Sequence, residues 1–219
     1  MHLEIIFLSL TAVVSFLLSI LLIFKWRETK TRFYSDLPFL FGVSILFIGF
    51  STLLNLIYSL TFFITEITLF RIRGVLICIT AVTMFTGVLK IWLPEKIKLL
   101  IVSGLIYAIS FLIILFITPS ASLIITYTSP FIAVNIIFVV VTFSVVYLKR
   151  RLPSINPLLI IAGALIILAS QLLKAVLPTP FAVFTPDVAS LVGWVVFTLG
   201  FLVKAPYFKT TAGFNSKSG

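Results

Sequence analysis

Seven polar side chains fall inside or beside long apolar runs of a 219-residue chain that is 61% hydrophobic: Asn55, Tyr58, Arg73, Asn135, Gln171, Lys174 and Asp187. Polar and ionisable groups at membrane depth are costly, so they are the first place to look for function. Ser51, Asn55 and Tyr58 stand at i, i+4 and i+7, on one face of a helix. Asn135 follows Ser129-Pro130, the expected start of a fifth span, by about a turn and a half. Gln171 and Lys174 lie one turn apart near the end of a sixth span. Arg73 is expected to open a third and Asp187 to cap a seventh. At similar depth, the set predicts a vestibule for a small molecule, with Glu66 and Asp187 balancing Arg71, Arg73 and Lys174. The same residues also admit a structural reading. Lys174 can snorkel to headgroups, and Asn55, Asn135 and Gln171 can join helices by hydrogen bonds of about 0.6–2 kcal/mol each.

Absences narrow the chemistry further. His2 is the only histidine, so neither a bis-histidine haem site nor a histidine metal centre is expected. No Asp or Glu occupies the middle third of a span, which removes a proton relay and an intramembrane aspartyl dyad. No phosphate loop, nucleophile elbow or metal motif is present. The expectation is a non-enzyme without a cofactor. Cys78 is the sole cysteine, so no internal disulfide can form.

The elements that must position these residues are seven apolar runs: Leu3–Phe24, Leu37–Leu60, Ile72–Leu93, Ile97–Ile117, Phe131–Leu148, Pro157–Leu177 and Val188–Val203. Helix is the reading for each, because a lone strand in lipid leaves its backbone unpaired. The fold class is all-α: a polytopic membrane protein, a seven-transmembrane-helix bundle over residues 1–205, with a short tail over 206–219. The first run lacks a basic n-region and is followed by Lys25-Trp26-Arg27 rather than small residues, so it reads as a helix and not a signal peptide.

Charge sets the orientation. Thirteen Lys and Arg fall on the first, third and fifth connections and the C-terminal end, against three on the other side. The positive-inside rule then puts the N-terminus outside and the C-terminus in the cytoplasm of a multi-pass protein of the cell membrane. The net charge of +10 is accounted for by juxtamembrane anchors, so the partner is the lipid bilayer and no nucleic acid is expected. No effector domain is expected within this length.

All ten prolines are placed at or outside span ends, with Ser129 and Asn156 as caps before Pro130 and Pro157. Continuous spans follow as an expectation. A 119-residue shift superposes Pro38 on Pro157 and Leu46 on Leu165, while Gly87 and Gly200 sit comparably in the third and seventh spans. This suggests a 3+1+3 parallel repeat. Thr80, Thr83 and Thr86 are expected to bond their own helix backbone. Ser15 with Ser19 and Gly104 with Ala108 form small pairs suited to close packing. Lys90 and Lys204 read as anchors; Trp26, Trp92, Tyr147 and Tyr207 read as an interfacial belt.

A retinal protein is disfavoured, since Val188-Ala189-Ser190-Leu191-Val192-Gly193-Trp194 carries no Schiff-base lysine. In length and topology the chain resembles the seven-helix sensor modules that precede prokaryotic histidine kinases, and the semisweet-and-sweet sugar carriers, by analogy of architecture alone. Three function classes follow: a receptor-like sensor with an outer small-molecule vestibule and a membrane or cytoplasmic protein partner, a non-catalytic subunit of a membrane complex, and a facilitative transporter.

Overall fold

An apolar segment in lipid must satisfy its backbone N–H and C=O groups within itself, and a helix does so over a single run. The computed structural model follows this rule. It describes the backbone of residues 2–28, 36–61, 64–152, 154–176 and 181–204, and the side chains of 4–28, 36–61, 64–152, 154–173 and 188–204. Among the described residues there are seven helices and no strand: α1 (His2–Arg27), α2 (Leu37–Thr61), α3 (Glu66–Trp92), α4 (Ile97–Ile117), α5 (Ala121–Leu148), α6 (Pro157–Val176) and α7 (Phe181–Leu202). The first five are long and apolar enough to cross a membrane. In α6 and α7 the described apolar stretches are shorter, Pro157–Leu173 and Val188–Leu202. The expected tail over 206–219, Leu177 and the belt residue Tyr207 lie outside the described residues.

The chain divides into two compact units, Met1–Phe138 and Val139–Gly219. In the first, consecutive helices pack antiparallel. Ser19 Oγ donates to the Gly42 carbonyl at 2.8 Å, and a Cβ on Gly49 would lie 3.3 Å from the Ser15 Cβ, so the small serines of α1 meet the glycines of α2. The α2–α3 seam carries hydroxyls: Ser44 Oγ lies 2.7 Å from Thr83 Oγ1 and 3.3 Å from the Thr80 carbonyl, and Thr80 Oγ1 donates to the Ser44 carbonyl at 3.0 Å. Phe41, Ile45 and Val88 are fully enclosed beside it. Thr80, Thr83 and Thr86 also bond carbonyls of their own helix, as expected from the sequence. On the α3–α4 side, a Cβ on Gly104 would come within 2.9 Å of Thr86 Cγ2. Lys90 pairs with Asp36 at 3.5 Å, tying the end of α3 to the start of α2.

In the second unit the α6–α7 seam is built by close backbone approach. A Cβ on Gly163 would collide with the Phe197 amide and sit 2.6 Å from the Gly193 carbonyl oxygen. One on Gly193 would lie 2.7 Å from Ile167 Cγ1, and one on Gly200 would lie 2.8 Å from the Ile160 amide nitrogen. The Asn156 amide donates to the Gly200 carbonyl at 2.7 Å and locks the start of α6 to the end of α7. Phe197 and Phe201 are fully enclosed, and Phe201 meets Phe143 of α5 edge-on at 6.1 Å.

Four local expectations are corrected. α5 starts at Ala121, so Pro130 lies inside it. The ring removes the amide that would bond the Thr126 carbonyl. The hydroxyls just before it donate to carbonyls one turn back, Thr126 to Ser122, Thr128 to Ile124 and Ser129 to Ile125, and none of the three reaches the Thr126 carbonyl. Ser129 is therefore part of the helix and not a cap. α7 starts at Phe181, so Pro186 and Asp187 fall within it and Asp187 is not its cap. α3 starts at Glu66, capped by Thr65, whose Oγ1 accepts from the Thr68 amide at 3.4 Å. Arg73 is then two turns into the helix rather than at its opening. Finally, Asn156 precedes α6 but its Oδ1 is buried without a partner, so the expected side-chain cap is not made.

Candidate functional site

Two turns of α3 carry Arg73 about 10 Å along the helix from Glu66, at 1.5 Å per residue, into the apolar part of the span. A guanidinium there needs acceptors that are already in place, and α2 supplies two from one face. Arg73 Nη1 donates to Asn55 Oδ1 at 3.1 Å, and Nε donates to Ser51 Oγ at 3.3 Å. Ser51 is 4% exposed, whereas Asn55 and Arg73 are half-buried, so the cluster has a closed floor and an accessible side. Phe70, one turn before Arg73 on α3, holds its ring centroid 5.6 Å from the guanidinium carbon. That distance is within the range of cation–π attraction. Tyr58 continues the α2 face one turn beyond Asn55 and is half-buried.

Of the residues singled out in the sequence, the structure brings Asn55 and Arg73 together, with Ser51 as the second acceptor. Asn135 is elsewhere. Its Nδ2 donates to the Ala81 carbonyl at 2.8 Å, it is 3% exposed, and its Oδ1 has no partner. Ala81 lies eight residues beyond Arg73, about 12 Å further along α3, so the shared depth read from the sequence does not hold for Asn135. The late start given to α5 explains the difference: measured from Ala121, Asn135 is central in its helix and not near its end. Gln171 is half-buried on α6, in the second unit. Lys174 and Asp187 belong to α6 and α7, and their side chains lie outside those described. Glu66 is exposed and takes part in neither ion pair found among the described residues, so it does not balance Arg71 or Arg73.

The sequence reading missed Phe70, although an aromatic three residues before a cation on a helix is a legible signal. It also gave Ser51 no partner, because pairing across helices requires their register. Chemically, the cluster can hold a polar or anionic group against a pre-oriented cation. Its members are a guanidinium, an amide, a hydroxyl and the Phe70 ring, and no group of metal-ligating side chains occurs among the described residues. No family model matches the chain, and no curated protein and no solved structure is significantly similar to it.

Proposed function

We propose that this protein is a receptor-like sensor of the cell membrane, with seven spans, an outer N-terminus and a cytoplasmic C-terminus, that takes a small polar or anionic molecule from outside at the Ser51–Asn55–Arg73 cluster. The observation that carries the reading is the cation itself: a guanidinium two turns inside an apolar helix, held by two neutral side-chain oxygens of the facing helix. Intramembrane arginines are rare and mark binding or coupling sites. The Ser51 and Asn55 oxygens orient the guanidinium from the α2 face. An anion arriving from outside would compete for the same N–H groups and loosen α3 from α2, which is a two-state element that a cytoplasmic or membrane partner can read.

Facilitative transport is the second reading, and two observations favour it. Pro130 lies inside α5 and removes one of its backbone hydrogen bonds, in a span that was expected to carry no internal proline. The α2–α3 and α6–α7 seams also correspond. The 119-residue shift carries Ser44 to Gly163 and Phe41 to Ile160, and a 113-residue shift carries Thr80 to Gly193 and Gly87 to Gly200. Each pair of contacting positions maps onto another pair of contacting positions, which supports a two-helix repeat of the kind transporters use. A non-catalytic subunit remains the reading in which the cluster is only glue.

The deciding experiment places Asn55→Cys in a Cys78→Ala background and adds a membrane-impermeant thiosulfonate to right-side-out vesicles. Labelling without permeabilisation is expected for an outer vestibule. Labelling only after permeabilisation would overturn the orientation, and none at all would overturn the site. Solute flux through proteoliposomes then separates transporter from sensor.

A further inference from the structure

Arg71, one turn from the start of α3, points to the opposite neighbour from Arg73. Its Nη2 donates to the Phe116 carbonyl at the end of α4, at a long 3.4 Å, and its buried Nε has no partner. Neither ion pair among the described residues includes it. The last carbonyls of a helix attract a cation but do not neutralise it. A guanidinium offers five N–H donors in a planar fork suited to phosphate or carboxylate oxygens. Arg71 therefore stands at the end of the α3–α4 pair with most of its bonding capacity unspent.

Directly below it, α3 and α4 part. Val75, one turn on from Arg71, and Leu112, one turn back from Phe116, open a crevice that continues past Cys78, Ala108 and Val82, with a volume of about 200 Å³ and a wholly apolar accessible lining. The gap exists because position 108 is alanine; further along, Gly104 and Thr86 close the helices again. On α4 the neighbouring Ile109 and Ile113 are more than half exposed, so the crevice opens sideways from an exposed apolar face of a helix long enough to cross a membrane. It is smaller than the about 300–1,000 Å³ of a pocket that encloses a small molecule. An apolar slot open to the bilayer and headed by an uncompensated cation matches a single class of occupant in shape and in charge.

We infer that the α3–α4 crevice binds an acyl chain of an anionic phospholipid whose phosphate is held by Arg71. By the positive-inside orientation the lipid belongs to the outer leaflet. The site is separate from the Ser51–Asn55–Arg73 cluster and stands or falls independently of it. Turning toward a phosphate costs Arg71 one long hydrogen bond and gives its buried Nε an acceptor, whereas a zwitterionic lipid offers the same phosphate beside a choline that the cation repels.

The test is native mass spectrometry of the whole protein released from micelles containing equal amounts of phosphatidylglycerol and phosphatidylcholine with the same acyl chains. One phosphatidylglycerol per chain is expected, retained at least several-fold over phosphatidylcholine. Arg71→Gln should abolish the preference, Arg71→Lys should keep it in part, and Ala108→Leu should lower retention of both lipids by filling the slot. Glycerol phosphate, which carries the charge without the chain, should not compete. Equal retention of the two lipids by the wild type, preference persisting in Arg71→Gln, or displacement by glycerol phosphate at the concentration that suffices for the lipid would each overturn the inference. If a variant fails to fold, the two wild-type competitions decide alone.

Discussion

The α2–α3 and α6–α7 pairs join antiparallel helices by different means. In the first, Ser44, Thr80 and Thr83 exchange hydrogen bonds across the seam, and each hydroxyl has a fallback carbonyl on its own helix. In the second, Gly163, Gly193 and Gly200 remove side chains so that backbone meets backbone. Hydroxyl seams in hydrocarbon contribute modestly, because the separated helices find other partners. Packed glycine seams admit no substitute, since any added atom forces the helices apart. The first seam is suited to sliding and the second to staying shut, and the charged cluster Ser51–Asn55–Arg73 lies on the adjustable one.

The sharpest way to break this comparison is Gly163→Ala. Its new Cβ would meet the Phe197 amide and the Gly193 carbonyl, and we expect a loss of about 2–3 kcal/mol in reversible unfolding from mixed micelles. A loss under 0.5 kcal/mol would mean that the seam yields easily and the contrast is false.

A paired substitution comes next. At Gly200, alanine should cost roughly 1–3 kcal/mol, because the Ile160 backbone is in the way. At Gly87 on the α2–α3 side, where a Cβ would find Leu40 and Phe41 at 3.5–3.7 Å, alanine should be neutral or stabilise by up to about 1 kcal/mol through helix propensity. Equal effects at the two sites would refute the distinction.

Smaller again is Ser44→Ala, expected to cost about 0.6–1 kcal/mol in the same assay, since Thr83 keeps its Ile79 carbonyl. The smallest effect concerns the cluster. A double-mutant cycle of Arg73→Gln with Asn55→Leu should give a stability coupling near 0.6 kcal/mol, the average for such bonds in membranes. A coupling above 2 kcal/mol would identify the pair as a structural clamp and undercut the adjustable seam.

Helix positions were legible because apolar runs in this chain end at charge and proline, as at Asp36 before Leu37 and Pro94 after Trp92. Helix starts were harder to place. Pro130 is read as an N-terminus by local rules, yet the helix passes through it, and a hydroxyl that bonds back to its own helix, as Thr126, Thr128 and Ser129 do, cannot be told in sequence from one that caps. That one error displaced Asn135 by half a span. Arg73 was misplaced for the opposite reason, because Thr65 caps a polar first turn that hydropathy alone assigns to the loop. Contacts between Arg73, Ser51 and Asn55 depend on the register of two antiparallel helices, which periodicity within either helix does not set.

The length of α5 and the place of Pro130 within it also bear on how the protein sits in a bilayer. α5 has 28 residues and measures about 42 Å, against a hydrocarbon core of about 30 Å. Its first nine residues, Ala121–Ser129, carry four hydroxyls and Tyr127, which is 53% exposed, a composition suited to the headgroup layer rather than the interior. Pro130 removes one backbone hydrogen bond where this stretch meets the apolar remainder of the helix, which makes that junction the weakest point of α5. In bilayers of graded acyl-chain length, any change in the tilt of α5 is therefore expected to concentrate at this position.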